Sequence, residues 1–371
     1  MEKISVPFSR VLPPPGDVER AIRDTISEVV SSGYYINGPR NERFRSEFAE
    51  FVGVSNVVTV GNGTDALIVA LKAVGVGVGD MVITVANAGG YASTAINAVG
   101  ATAVYVEIDE SNLLIDVDQL KELVGRMPSK PRAIIVTHLY GVGAKIEELS
   151  LFCSGYGILL VEDCAQAIGV RPGGQHVGSF GDVGTFSFYP TKNLGGMGDS
   201  GAIVTNDVDI AKRARMIAQY GWGQDRYVSL VSGGLNSRMD EVQAGVLTVL
   251  LPYVEERNQR RTEIFNIYCD VSTQLKFPHR GELHYNGHLA VLVPPSRQAA
   301  LEVMERFGIE VSIHYPVPDF RQPGFGGDAE SYPVTSAACD AVLSLPVFPS
   351  LSDEEIDLVC QALKTIQQEA L

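Results

Sequence analysis

An α/β fold, a mostly parallel sheet covered by helices on both faces, is predicted by two features of residues 55–206. Short apolar runs alternate there with stretches of helical spacing, and the runs are rich in Val and Ile. A smaller C-terminal α+β domain is expected to follow. The boundary is set at 254/255, giving a large domain over 1–254 that includes the N-terminal segment, and a small one over 255–371.

VVTV (57–60) is the first predicted strand, and in the helical TDALIVALKAV behind it Leu67, Leu71 and Val74 recur on one face. MVITV (81–85) and AVYVEID (103–109) read as strands, and DVDQLKELVGRM (116–127) as a helix. AIIVTHLYG (133–141), GILLVED (157–163), TFSFYPT (185–191) and GAIVTN (201–206) supply the remaining strands. A long helical pattern runs from Arg238 to about Asp270, and Pro252 should kink or split it, because proline lacks an N–H and crowds the preceding turn. HLAVLVP (288–294), RQAALEVMERFG (297–308) and EVSIHYP (310–316) read strand, helix, strand. The Gly- and Pro-rich PDFRQPGFGGDAESYP (318–333) reads as a surface loop, and DEEIDLVCQALKTI (353–366) as a terminal amphipathic helix.

Of 371 residues 45% are hydrophobic, ample for a core larger than one domain-sized unit. A formal charge of −15 argues against nucleic acid or an anionic membrane as partner. No run approaches the ~18 apolar residues of a membrane span, and the N-terminus carries no apolar signal segment. Five cysteines without a CxxC pair read as reduced thiols, so a cytoplasmic location is expected. The six histidines show no HExxH spacing, and no metal is expected.

Chemistry concentrates in a few stretches. GNGTDAL (61–67) lies between a strand and a helix start, where Gly63 and Thr64 can bring backbone N–H groups onto a phosphate. An ordinary tight turn capped by Thr64 or Asp65 gives the same pattern. Asp163 ends the strand GILLVED, where open α/β sheets bind ligands, though it can equally cap the next helix. Gln166 follows three residues later. Lys192, in FSFYPTKNLGG, sits among Phe186, Phe188, Tyr189 and paired glycines; burial there would favour a neutral, nucleophilic amine over the ordinary surface lysine. Ser187 can donate to a phosphate, and Asn236, at the head of the long helix, either reaches a phosphate or simply enters the helix. HLYG (138–141) and IHYP (313–316) each set a histidine beside a tyrosine, a pairing that structural hydrogen bonds also produce. A lysine to bond an aldehyde and a carboxylate to keep a pyridine nitrogen protonated are the two parts that run pyridoxal 5′-phosphate (PLP).

Together the motifs GNGTDALIVAL, VEDCAQAIG, VGSFGDVGTFSFYPTKNLGGMGDSGAIVTND, NSRMDEVQAGVL and IHYP resemble the PLP-dependent nucleotide-sugar aminotransferases of the DegT/StrS group, in family order over nearly the whole chain. The resemblance implies an aspartate-aminotransferase-type fold, a homodimer with active sites at the subunit interface, and amino transfer from L-glutamate to a keto-sugar nucleotide. It makes Lys192 the Schiff-base lysine and proton shuttle and Asp163 the partner of the pyridine nitrogen. Gln166 would meet the ring or its oxygen; Gly63, Thr64 and Ser187 would hold the phosphate, with Asn236 reaching it from the other subunit. Tyr34, His314 and Tyr315 would lie near the sugar nucleotide. One departure stands out: where the family has a ring-stacking aromatic, this chain has ANAGGYAST with Gly89 at that place, so either Tyr91 substitutes or the ring face is open. A dTDP-3-keto-6-deoxyhexose is the expected acceptor, on the look of QYGWGQDRY and GGLNSR; a 4-keto sugar nucleotide, a keto-cyclitol and a non-catalytic regulatory role are the alternatives.

Overall fold

A seven-stranded sheet organises the computed structural model, which describes residues 5–11, 16–282, 284–326 and 331–369. Its strands are β1 (Asn56–Val60), β2 (Met81–Thr84), β3 (Thr102–Tyr105), β4 (Ala133–Thr137), β5 (Leu159–Asp163), β6 (Val183–Ser187) and β7 (Gly201–Thr205). They lie in the order β1-β7-β6-β5-β4-β2-β3. β3, β2, β4, β5 and β6 are parallel; β7 runs antiparallel to both its neighbours. All seven occur where the apolar runs predict them, within a few residues.

Both faces are covered, and strand alternation shows how. In β4, Ala133 and Ile135 join one apolar cluster while Ile134 and Val136 join another. The first cluster includes Leu67 and Leu71 of helix Gly63–Ala73 and Ile217 of helix Val208–Ala218. The second includes Leu149 of helix Ile146–Tyr156 and Phe265 of helix Val254–Val271. Over β1 and β7 that same face is closed by Phe44 and Phe48 of helix Pro39–Val52.

The long helical pattern breaks at the expected proline. Helix Glu241–Leu250 passes through a 3-10 turn, Leu251–Tyr253, into helix Val254–Val271. Beyond it β8 (Ala290–Leu292) pairs antiparallel with β9 (Leu343–Leu345), and helix Asp353–Glu369 closes the chain. The predicted strand 310–316 is not formed; its place beside the small sheet reduces to one bridge, Ser312 with Ser344. The physical reason is competition. The His314 carbonyl accepts from the Tyr140 hydroxyl (3.0 Å) and the Tyr315 oxygen accepts from Gln166 Nε2 (3.1 Å), so the segment is drawn toward the large sheet instead of extending a ladder.

The stretch read as a surface loop also begins inside: Asp319 and Phe320 are buried, with Asp319 accepting from Ser93 Oγ (2.5 Å). Residues 327–330 of that stretch lie outside the described residues. The N-terminal segment packs with the small sheet's surroundings, since Val6 bridges Ile309 and Phe8 N donates to Glu310 (2.9 Å).

Glu162, one residue before the end of β5, ties the sheet to the loop behind it. It is fully buried and accepts from the amides of Gly178 (2.7 Å), Phe180 (2.8 Å) and Gly181 (2.7 Å), with His138 Nε2 at 3.1 Å. Glu162→Ala strands those donors without water, so it should lower unfolding stability by about 3 kcal/mol. A urea midpoint equal to the parent's would rule that anchor out.

Candidate active site

β4, β5 and β6 end side by side, and a cavity of about 1230 Å³ opens at their carboxyl ends. Thr137, Asp163 and Ser187 line it from the strand ends, Gly63 and Thr64 from the following helix start, and Lys192 from the loop beyond β6. Glu162 and Asp163 are consecutive, so the strand sends one carboxylate to the structural anchor and the other to the cavity.

Asp163 is buried. Its Oδ1 accepts from Ala165 N (3.1 Å), and Thr137 Oγ1 stands 3.5 Å from Oδ2. Burial raises its affinity for a proton, opposed by the Ala165 amide and then by the charge of Lys192. Lys192 is half-buried at the cavity wall, and loss of solvation pushes its amine down to about 8, with the Asp163 charge opposing. The two groups thus feel each other across one cavity, and among the described residues no ion pair joins them. A flat ring with a basic nitrogen at one end and an aldehyde toward the other suits that gap.

The loop carrying Lys192 is held on both sides. Lys192 N donates to the Tyr189 carbonyl (2.8 Å), and Asn193 Nδ2 donates to Asn258 Oδ1 (2.7 Å) and the Asn286 carbonyl (3.1 Å). Phe186 and Phe188 are buried below, as expected; Tyr189 is exposed.

At the phosphate end, helix Gly63–Ala73 starts directly against Ser187. A Cβ on Gly63 would lie 2.6 Å from Ser187 Cβ, so only glycine lets the positive helix terminus reach that hydroxyl. The cap is Asn62, whose side chain accepts from Asp65 N (2.8 Å), and neither Thr64 nor Asp65. Asp65 instead accepts from Ser237 Oγ (2.6 Å).

Gln166 lines the cavity with both ends of its amide occupied, accepting from Tyr140 N (2.5 Å) and donating to the Tyr315 oxygen (3.1 Å). Tyr315 resolves the departure at Gly89. A side chain on Gly89, whose φ is +77°, would meet the Tyr315 ring at 2.8–3.0 Å. The space is therefore neither open nor filled by Tyr91, which stands edge-on to Tyr315 with centroids 6.1 Å apart. His314 also lines the cavity, stacked on Phe8 (5.6 Å) with Nδ1 3.0 Å from Ser344 Oγ, and burial beside Lys192 lowers it to about 4, so it is neutral.

Two expected residues do not reach this cavity. Tyr34 is 65% exposed in the link between helices Asp17–Ser32 and Pro39–Val52. Asn236 bridges Gln219 away from the cavity wall; its expected contact was one made across subunits. His138 of HLYG is buried between Glu162 and Ala144 N (3.1 Å), a structural role. Residues missed from sequence are Asn62, His288, Arg257 and Arg261. Asn62 had a signal, a preferred N-cap residue just before the helix. The two arginines had only their one-turn spacing.

Residues 17–364 match the sequence profile of the DegT/DnrJ/EryC1/StrS aminotransferase family. The erythromycin biosynthesis sensory transduction protein EryC1 of Saccharopolyspora erythraea is 37% identical, over 94% of this chain and 94% of its own. The dTDP-3-amino-3,6-dideoxy-α-D-galactopyranose transaminase of Aneurinibacillus thermoaerophilus is also 37% identical, over 93% of this chain and 95% of its own. The solved structure of NtdA from Bacillus subtilis with bound cofactor PMP, the amino form of PLP, is similar with a TM-score of 0.89 at 27% identity, covering 99% of this chain and 86% of that one. The chain belongs to the DegT/DnrJ/EryC1/StrS aminotransferase family and is a PLP-dependent sugar aminotransferase.

Proposed function

We propose that this enzyme moves the amino group of L-glutamate to a dTDP-linked 3-keto-6-deoxyhexose, and that it works as a homodimer. The observation that carries the site assignment is the pair of half-buried Lys192 and buried Asp163, which line one cavity and are electrostatically coupled across it. Support for a 3-amino product comes from the similarity to the Aneurinibacillus transaminase.

PLP supplies the electron sink that lets a carbon beside the transferred nitrogen lose its proton. Every other task falls to side chains. Asp163 would accept the hydrogen bond of the pyridine nitrogen and keep it protonated. Lys192 would bond the cofactor, and its amine would serve as the base and acid that moves a proton from the donor's carbon and to the sugar's. Gly63, Thr64 and Ser187 would receive the phosphate at the helix terminus. Tyr315, pinned by Gln166 in the space beside Gly89, would cover one face of the ring. His314 stands by the sugar. Tyr34 and Asn236 lie away from this chain's cavity, and their proposed contacts are with the site of a second copy, which is why a dimer belongs to the proposal.

Lys192→Ala should lose the visible absorbance of the lysine-bound cofactor and slow turnover by about 10³-fold. An unchanged spectrum removes Lys192 from the site. The rate of cofactor capture by the apo protein should rise as pH passes about 8, because the neutral amine is the nucleophile and it dominates above that value. Asp163 holds that midpoint up, so Asp163→Asn should move it to lower pH while turnover falls by about 10²-fold. A midpoint that stays, or rises, contradicts the coupling. The substrate assignment is checked by supplying glutamate with 3-keto and 4-keto sugar nucleotides and a keto-cyclitol, products read by mass spectrometry. A 4-amino sugar or an aminocyclitol as sole product overturns it, and no half-reaction with any amino donor favours a regulatory role.

A further inference from the structure

Two arginines one turn apart on helix Val254–Val271, Arg257 and Arg261, line the cavity that holds Lys192 and Asp163. Arg261 is only 6% exposed; its Nη1 donates to the Val347 carbonyl (2.5 Å), and among the described residues its Nε has no hydrogen-bond partner. Arg257 is half-buried, and its Nε is likewise buried without a partner among the described residues. Their neighbour Arg260 shows what an ordinary position gives, with Glu263 at 3.8 Å and Asp353 at 3.4 Å. Among the described residues neither Arg257 nor Arg261 has such a carboxylate. Burial, aggravated by the charge of Arg257, brings Arg261 down to about 9. Two cations held together in a dry wall are costly unless an anion joins them.

The cofactor does not supply that anion, because its phosphate is assigned to the end formed by Gly63 and Ser187. The pair is also close to the chemistry. The charges of Lys192 and Arg261 both help to keep His288 neutral, and His288 Nδ1 is 2.9 Å from Oδ1 of Asn193, the residue after Lys192.

We propose that Arg257 and Arg261 form the carboxylate subsite of the amino donor. The assignment rests on the glutamate-dependent reaction above. An amino acid bears its carboxylate on the very carbon that carries the departing nitrogen, so that anion must sit deep, near Lys192. The phosphates of a sugar nucleotide are bonded several atoms from the keto carbon and belong nearer the mouth. The Arg261 fork suits the deep anion. Nη1 is fixed on the Val347 carbonyl, and the buried Nε has no partner among the described residues, so the guanidinium lining this cavity keeps donor capacity that a carboxylate would use.

Glutarate, a dicarboxylate with no amine to transfer, reads the subsite without turnover. Titrated calorimetrically into the PLP-loaded protein, it should bind about 10- to 100-fold more weakly to Arg257→Gln and Arg261→Gln than to the parent, with dTDP binding held within about twofold. Arg261→Gln also loses the Val347 bond; if it does not fold, Arg257→Gln, which loses no hydrogen bond to the described residues, carries the test alone. Weakened dTDP with unchanged glutarate makes the pair a phosphate subsite and overturns the proposal. So do unchanged affinities for both in folded variants, loss of the dimer with glutarate binding intact, or a parent that does not bind glutarate. A parent that binds glutarate but does not turn over L-glutamate overturns the donor's identity and leaves the subsite standing.

Discussion

A half-buried, poorly solvated amine and a buried carboxylate on the walls of one cavity are the constraint on which the rest of the molecule depends. Each group is unfavourable where it sits. Desolvation pulls the lysine toward neutrality and the aspartate toward protonation, and each is partly restored by the other's charge. That balance leaves the amine able to act as a nucleophile near neutral pH while the carboxylate can still hold a cationic ring nitrogen. Water filling the gap would weaken both effects, so the site must be walled and its walls must be stiff.

The stiffness comes from polar groups that are themselves fully used. Glu162 spends its oxygens on three amides and a histidine, fixing the end of β5 from behind. Asn193 joins the lysine loop to Asn258 and to the Asn286 carbonyl, residues from the helix and loop that follow the large sheet. Gln166 links the Tyr140 amide to the Tyr315 hydroxyl. These bonds run between segments far apart in the chain, so the cavity is held by the meeting of the large sheet with the C-terminal part and by neither alone.

The same meeting explains an exchange of side chains at the cavity wall. A left-handed glycine at 89 removes a side chain from the strand–helix turn, and Tyr315 enters from the opposite part of the molecule to fill the space. The tyrosine arrives with its hydroxyl already bonded, which makes its ring a fixed surface. Asp319 and Ser93 clamp the neighbouring turn to the same C-terminal segment, so the two halves of the wall are tied at a second point.

Residues 55–206 determined the sheet on their own, because apolar runs of strand length separated by helical spacing have few other ways to bury themselves. The sequence likewise determined the break at Pro252, where the backbone lacks a donor, and brought Lys192, Asp163, Ser187 and Gly63 together as one constellation, since each ends or follows a strand of that sheet. Only the tertiary structure decided that 310–316 abandons strand pairing, that β9 lies beside β8, that Tyr315 fills the space at Gly89, and that Arg257 and Arg261 face the cavity. The physical reason is range. Periodicity and capping act within a turn or two of the chain, whereas these features depend on which distant surface competes best for a hydroxyl, an amide or a void.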